Sequence, residues 1–66
     1  MNIPKLRGKI TEKGKTHAEC ASVLGISTTA FSNKMNGTSK FYIDELETLG
    51  NFLGMTPSEK YDIFLS

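Results

Sequence analysis

Apolar residues recur at helical spacing through the whole chain, and no segment alternates strictly with the period of two that marks a half-buried strand. Ile3, Leu6 and Ile10 fall on one face of a first helix, with Pro4 at its first helical position and Gly14 as its stop. Gly8 weakens that helix by up to about 1 kcal/mol relative to alanine, so it must lean on tertiary packing. Thr16 and Glu19 then form a T-x-x-E capping box that opens a second helix with Cys20, Ala21 and Leu24 facing inward. Gly25 supplies the positive φ that ends it. Ile26 anchors the turn, and Ser27 caps a third helix over about 28–36, with Phe31 and Met35 inward and Gly37 as its stop.

A loop from Thr38 to Phe41 leads to a fourth helix, about 43–53, whose apolar stripe is Ile43, Leu46, Leu49, Phe52 and Leu53. Gly54 ends it. Thr56-Pro57-Ser58-Glu59 is a second capping box, predicting a fifth helix over about 57–64 that carries Tyr61, Phe64 and Leu65. The pattern predicts an all-α fold of five short helices in a single domain, 1–66.

At 66 residues the chain is near the lower limit for folding alone. A core of this size leaves only about 3–5 kcal/mol net, so dimerisation would help. A single cysteine, Cys20, excludes an internal disulfide and fits a reducing cytoplasm. No apolar run is long enough for a membrane span and no signal-peptide pattern opens the chain, so the expectation is a soluble, cytoplasmic protein without a membrane partner. The net charge of +1 says little, but its distribution says more. Residues 1–40 carry seven Lys and Arg against Glu12 and Glu19, a balance of +5, whereas residues 41–66 carry Lys60 against five acids, a balance of −4. The basic part is thereby expected to face phosphates, the alternative being an accidental division of a solvated surface.

Helices two and three are separated only by Gly25-Ile26-Ser27. A three-residue turn with a glycine, a small Ala21 and apolar residues at 20, 24, 26 and 31 meet the demands of a helix-turn-helix. With Phe31 and Met35 inward, Thr28, Thr29, Ser32 and Asn33 are left on the outer face of helix three, the surface that enters the major groove in this motif. A threonine can set its methyl against thymine or donate to a base or phosphate, and Asn33 can bridge N6 and N7 of an adenine. Small polar residues at a helix start also serve as caps and solvated surface; the motif around these four favours base reading.

The segment resembles the Cro/repressor-type, lambda-repressor-like helix-turn-helix proteins of temperate phages, in which a pattern close to T-Q-x-x-L-A-x-x-L-G-I/V-S-x-x-x-I/F-S-x-x-x-N-G recurs. This chain reads Thr16-His17-x-x-Cys20-Ala21-x-x-Leu24-Gly25-Ile26-Ser27-x-x-x-Phe31-Ser32-x-x-x-Asn36-Gly37, and Leu53-Gly54 ends the fourth helix in the family's manner. The resemblance covers about residues 3–56. It implies a compact domain that binds operator DNA through helix three, with phosphate contacts from Thr16, His17, Lys34, Asn36 and Lys40. His17 stands where many members carry glutamine, and it can still reach a phosphate. Lys34 stands where the family is usually apolar, its stem covering the core edge and its ammonium extending to a phosphate. Ile10 and Met35 replace an Arg–Glu pair of several members, a change that well-packed apolar groups tolerate. Lys5, Arg7 and Lys9 are further candidates for the footprint.

The expected function is a Cro-like regulator, because the chain ends soon after the DNA-binding part. Its partner is double-stranded operator DNA, bound as a homodimer that is weak in solution and strengthened on DNA. Tyr61, Ile63, Phe64 and Leu65 are the candidate interface, since one helical face cannot bury all four. The rival expectation is a small protein-interaction module, antirepressor- or antitoxin-like, that uses its apolar C-terminal helix to bind a regulator. No metal-ligand cluster, phosphate-binding loop or nucleophile–base pair can be assembled, so no enzyme, cofactor or small-molecule substrate is expected.

Overall fold

The computed structural model describes residues 1–65. Five helices follow one another: α1 Ile3–Glu12, α2 His17–Leu24, α3 Thr28–Met35, α4 Ile43–Phe52 and α5 Pro57–Phe64. No strand occurs among the described residues. Both expected capping boxes are formed. The Thr16 hydroxyl accepts from the Glu19 amide at 3.1 Å while the Glu19 carboxylate accepts from the Thr16 amide at 2.9 Å, and Thr56 and Glu59 repeat the arrangement at 3.2 and 2.9 Å. Ser27 Oγ accepts from the Ala30 amide at 3.0 Å. Helix α1 has a cap not among the expected ones: Asn2 Oδ1 accepts from the Lys5 amide at 3.0 Å, so α1 begins at Ile3 rather than at Pro4. Helices α3 and α4 each stop one residue short of the expected end, at Met35 and Phe52.

The interior is assembled from every helix: Leu6 and Ile10, Cys20 and Ala21, Phe31 and Met35, Leu49, Leu53 and Met55, and Ile63. Ile3, Leu24, Ile26, Phe41, Phe52 and Phe64 pack around it, half-buried. Helix α2 rests on α3 and α4, and α1 on α5. Phe31 is fully enclosed, and truncating a core phenylalanine costs about 3–5 kcal/mol, comparable to the whole net stability of so short a chain.

Two apolar assignments are corrected. Ile43, expected in the inward stripe of α4, is 77% exposed, since it is the first residue of the helix and lies beyond the turns that reach the core. Ile63, expected at a dimer contact, is 4% exposed and belongs to the core, and its carbonyl accepts from the Asn2 amide at 2.7 Å. Tyr61 and Leu65, four positions apart and roughly opposite Ile63 on a helix of 3.6 residues per turn, are 67% and 66% exposed. Phe64 lies between these extremes, half-buried against the core.

The two charge blocks also meet differently from expectation. Lys5 pairs with Asp62 at 2.7 Å, Lys9 with Glu59, and Lys34 with Glu45 at 2.9 Å. Three of the seven cations of residues 1–40 are thus neutralised by acids of residues 41–66, so the division along the chain serves in part to hold its two halves together.

Candidate nucleic-acid interface

The turn between α2 and α3 is fixed by its backbone. Gly25 has φ +71°, a left-handed conformation that side chains with a Cβ adopt only with strain, and its amide reaches back to the carbonyls of Ala21 and Ser22. The Ile26 amide donates to the Ala21 carbonyl at 3.0 Å, and Ile26 packs against the core. Ser27 then closes the first turn of α3, so the two helices are joined with little freedom.

On α3, Phe31, Lys34 and Met35 are buried. Thr28 and Thr29 are exposed and Ser32 and Asn33 half-exposed. Positions 28, 29, 32 and 33 are one and four apart, so the four side chains share the face turned from the core. None of them has a side-chain hydrogen-bond partner among the described residues. The structure thereby brings together all four residues expected to read bases.

The expected phosphate contacts divide. The Thr16 hydroxyl accepts its capping bond and keeps its own proton to donate. His17, the first residue of α2, is half-buried, its ring edge-on to Phe31 with centroids 5.2 Å apart. Asn36 and Lys40 are exposed, in and beside the turn that leaves α3. Lys34 departs from expectation. It is 8% exposed, and its Nζ donates to the Lys40 carbonyl at 2.8 Å and to Glu45 Oε1 at 2.9 Å. The Phe41 and Tyr42 rings flank the ammonium at 5.8 and 4.8 Å. With its charge engaged on all these sides, Lys34 is not placed for a phosphate. Burial works to raise the pKa of Glu45, but the Tyr42 amide and the Lys34 ammonium outweigh it and hold the carboxyl below its ordinary value.

Among the described residues, Arg7, Lys13, Lys15 and Lys40 have no acidic partner. Lys15, directly before the α2 cap, lies over the Phe52 ring at 5.1 Å. Lys13 and Lys15 are not among the contacts expected from the sequence; the signal for them is their position flanking Gly14, with Glu19, the acid four positions after Lys15, committed to the Thr16 capping box.

A second surface is built by α4 and α5. Ile43, Leu46, Pro57, Tyr61, Phe64 and Leu65 line an open apolar groove of about 450 Å³, with Glu47 and Lys60 at its edge. Lys60 lies across Gly50, its Nζ held by Asn51 at 2.7 Å and Glu47 at 3.1 Å. No helix of the described residues is long and apolar enough to cross a membrane. Compared with protein-family models, with curated proteins and with solved structures, the chain matches none.

Proposed function

We propose that the chain is a sequence-specific, double-stranded DNA-binding regulator of transcription, Cro-like, that acts in the cytoplasm on a phage or prophage operator. In this reading α2, the Gly25 turn and α3 form a lambda-repressor-like helix-turn-helix, with α3 entering the major groove. The observation that carries it is the face of Thr28, Thr29, Ser32 and Asn33: four adjacent hydrogen-bonding side chains, none with a side-chain hydrogen-bond partner among the described residues, on a helix fixed by a capped glycine turn. Thr16, His17, Asn36 and Lys40 set the position on the backbone, and the four α3 residues read base edges. The reading needs no cofactor and no catalytic step.

One such helix offers few base contacts, so the operator is taken by two copies on half-sites about one DNA turn apart. The surface that supports a second copy is Tyr61 and Leu65 with Ile43 and the half-buried Phe64. Large apolar side chains this exposed, side by side on so small a protein, mark an interaction surface. The same groove favours the second reading, a module that binds another regulator through α4 and α5.

Selection of bound sequences from a random duplex pool separates the two. Enrichment of a palindrome with half-sites about one helical turn apart is the expected result. A pool that stays random after repeated rounds rejects DNA recognition and leaves the protein-binding reading.

A further inference from the structure

Lys34 is a buried lysine on the helix proposed to read bases, and its charge is spent within the protein. What it touches is the path of the chain beyond α3. The Gly37 amide donates to the Lys34 carbonyl at 3.2 Å, and the Thr38 and Ser39 amides both donate to the Asn33 carbonyl at 2.9 and 3.2 Å. These bonds satisfy the carbonyls that the end of α3 would otherwise leave open. They hold only the first half of the loop. In the second half the Phe41 ring packs edge-on against Phe31 of α3, with centroids 6.0 Å apart, while the backbone is tied to α3 by the Lys34 Nζ bond to the Lys40 carbonyl at 2.8 Å; the same ammonium reaches Glu45 at 2.9 Å. Glu45 in turn accepts from the Tyr42 amide at 2.9 Å, so one carboxylate joins the α4 cap to the lysine of α3.

We infer that Lys34 is a positioning residue of the DNA interface, locking the loop that carries Asn36 and Lys40, and the start of α4, in a fixed relation to the base-reading face. The inference rests on the DNA-binding reading proposed above. Two groups that touch phosphate and four that touch bases must keep one geometry for both sets of contacts to form together. A buried, charge-assisted pair is directional enough to impose it, and an apolar side chain at position 34 could not bond the Lys40 carbonyl.

The test compares the parent with Lys34→Met/Glu45→Gln, which removes both charges so that neither is left buried alone, and with Lys34→Arg. In the free protein, amide hydrogen exchange at Tyr42, whose acceptor Glu45 is held by Lys34, is expected to quicken by about tenfold or more in the double variant, whereas Thr38 and Ser39, bonded to the Asn33 carbonyl, should change less. The amides within α3 should hold their rate, and Lys34→Arg should restore much of the protection. Affinity for a 20-base-pair duplex recovered from the random pool is expected to fall by about tenfold in the double variant. When Lys34→Met/Glu45→Gln is added to Lys40→Met/Asn36→Ala, the further loss should be under about twofold, because Lys34 acts through those residues.

Losses that multiply, with a salt slope that falls by about one phosphate's worth, would instead make Lys34 a direct contact and overturn the inference. Unchanged loop exchange overturns it as well, whatever the DNA result. A parent that binds no duplex removes the DNA-binding reading and the interface role with it, an outcome distinct from loss of the Lys34 effect alone. If the double variant does not fold, Glu45→Gln alone serves, since the amide still accepts from Tyr42 but holds Lys34 more weakly. Faster loop exchange with a parallel loss of affinity supports the inference, and no change in either removes it.

Discussion

The imidazole of His17 meets the ring of Phe31 edge to face, with centroids 5.2 Å apart and planes inclined by 72°. Phe31 meets Phe41 in the same manner at 6.0 Å, so the first residue of α2 is coupled through the centre of the core to the loop before α4. His17 therefore has a packing role besides its proposed phosphate contact, and two substitutions separate them. His17→Phe should melt at or above the parent's temperature while binding duplex DNA less tightly. His17→Ala should lose affinity and also about 0.5–1.5 kcal/mol of stability from the ring contact, beyond any buried area. Parent-like DNA affinity in His17→Phe would leave the imidazole a packing group only.

Two glycines should respond with opposite sign. A Cβ placed on Gly25 meets nothing within 4 Å, so substitution there costs conformation alone. At φ +71° that cost is about 1–2 kcal/mol for alanine and more for the β-branched side chain of Gly25→Val. Gly8 sits inside α1 with ordinary helical backbone and open space around it, so Gly8→Ala should stabilise by about 0.5–1 kcal/mol. Melting temperatures report both, at about 4–8 °C per kcal/mol for a domain of this size. A Gly25→Val protein that melts with the parent would contradict the turn geometry.

The Asn33 side chain has no hydrogen-bond partner among the described residues, so Asn33→Ala should leave stability unchanged. On the best operator it should cost roughly 1–3 kcal/mol and relax the preference at one base pair in each half-site. Competition titrations against single-base variants of the operator give the comparison. Uniform weakening across all sequences would assign Asn33 to the DNA backbone.

Exposure of Tyr61 and Leu65, with Ile63 in the core, dictates how the second copy is to be tested. Truncation after Glu59 removes Ile63 and its bond to the Asn2 amide, so that chain should unfold. Tyr61→Ser with Leu65→Ser removes exposed apolar surface alone. It should keep the melting transition and lose cooperative operator binding, as a weak contact strengthened by two tethered half-sites requires. Cooperativity equal to the parent's would place the contact elsewhere.

The link between α1 and α5 should give stability an acid limb. The hydrogen bond from Lys9 and the capping bond from the Thr56 amide bring the Glu59 pKa from its ordinary 4.5 down to about 2. Its contribution is complete above about pH 4.5 and is lost as pH falls toward 2, because the unfolded chain takes up the proton first. Lys9, held up chiefly by the hydrogen bond to Glu59, contributes below its ordinary 10.5 and loses that contribution as pH rises beyond it. Urea midpoints measured from pH 7 to 2.5 should fall less steeply for Glu59→Gln than for the parent. Equal slopes would move the linkage to other carboxylates, with Glu45 the first candidate.

Most of the helical framework is written in bonds that span three or four residues. Thr16 with Glu19, Ser27 with Ala30, and Thr56 with Glu59 close within a single turn, so their spacing along the chain is already their spacing in space. Gly25 was legible for the same reason, since a three-residue turn between two helices requires one positive φ. Asn2 shows the limit of local reading: its cap was hidden by the stronger signal of Pro4 two positions on. The common face of Thr28, Thr29, Ser32 and Asn33 was also readable, because Phe31 and Met35 are apolar enough to orient α3 unaided.

Periodicity tells which residues share a face, but not which face another helix will cover. Ile43 and Ile63 are the same side chain on neighbouring helices. One is exposed and the other buried because the chain's fold lays the core along one side of α5 and beyond the first turn of α4. Lys9 reaches Glu12 three positions on, as helical spacing allows, but Asp62 for Lys5 and Glu59 for Lys9 lie fifty or more positions away, so no spacing rule joins them. Lys34 is the sharpest case. Its position in α3 permitted a phosphate contact, and only the return of the loop and α4, bringing the Lys40 carbonyl and Glu45 to its ammonium, turned the charge inward. Bonds closed within one turn are specified by local order, whereas burial and charge pairing depend on which distant segment arrives, and that is a property of the packed chain.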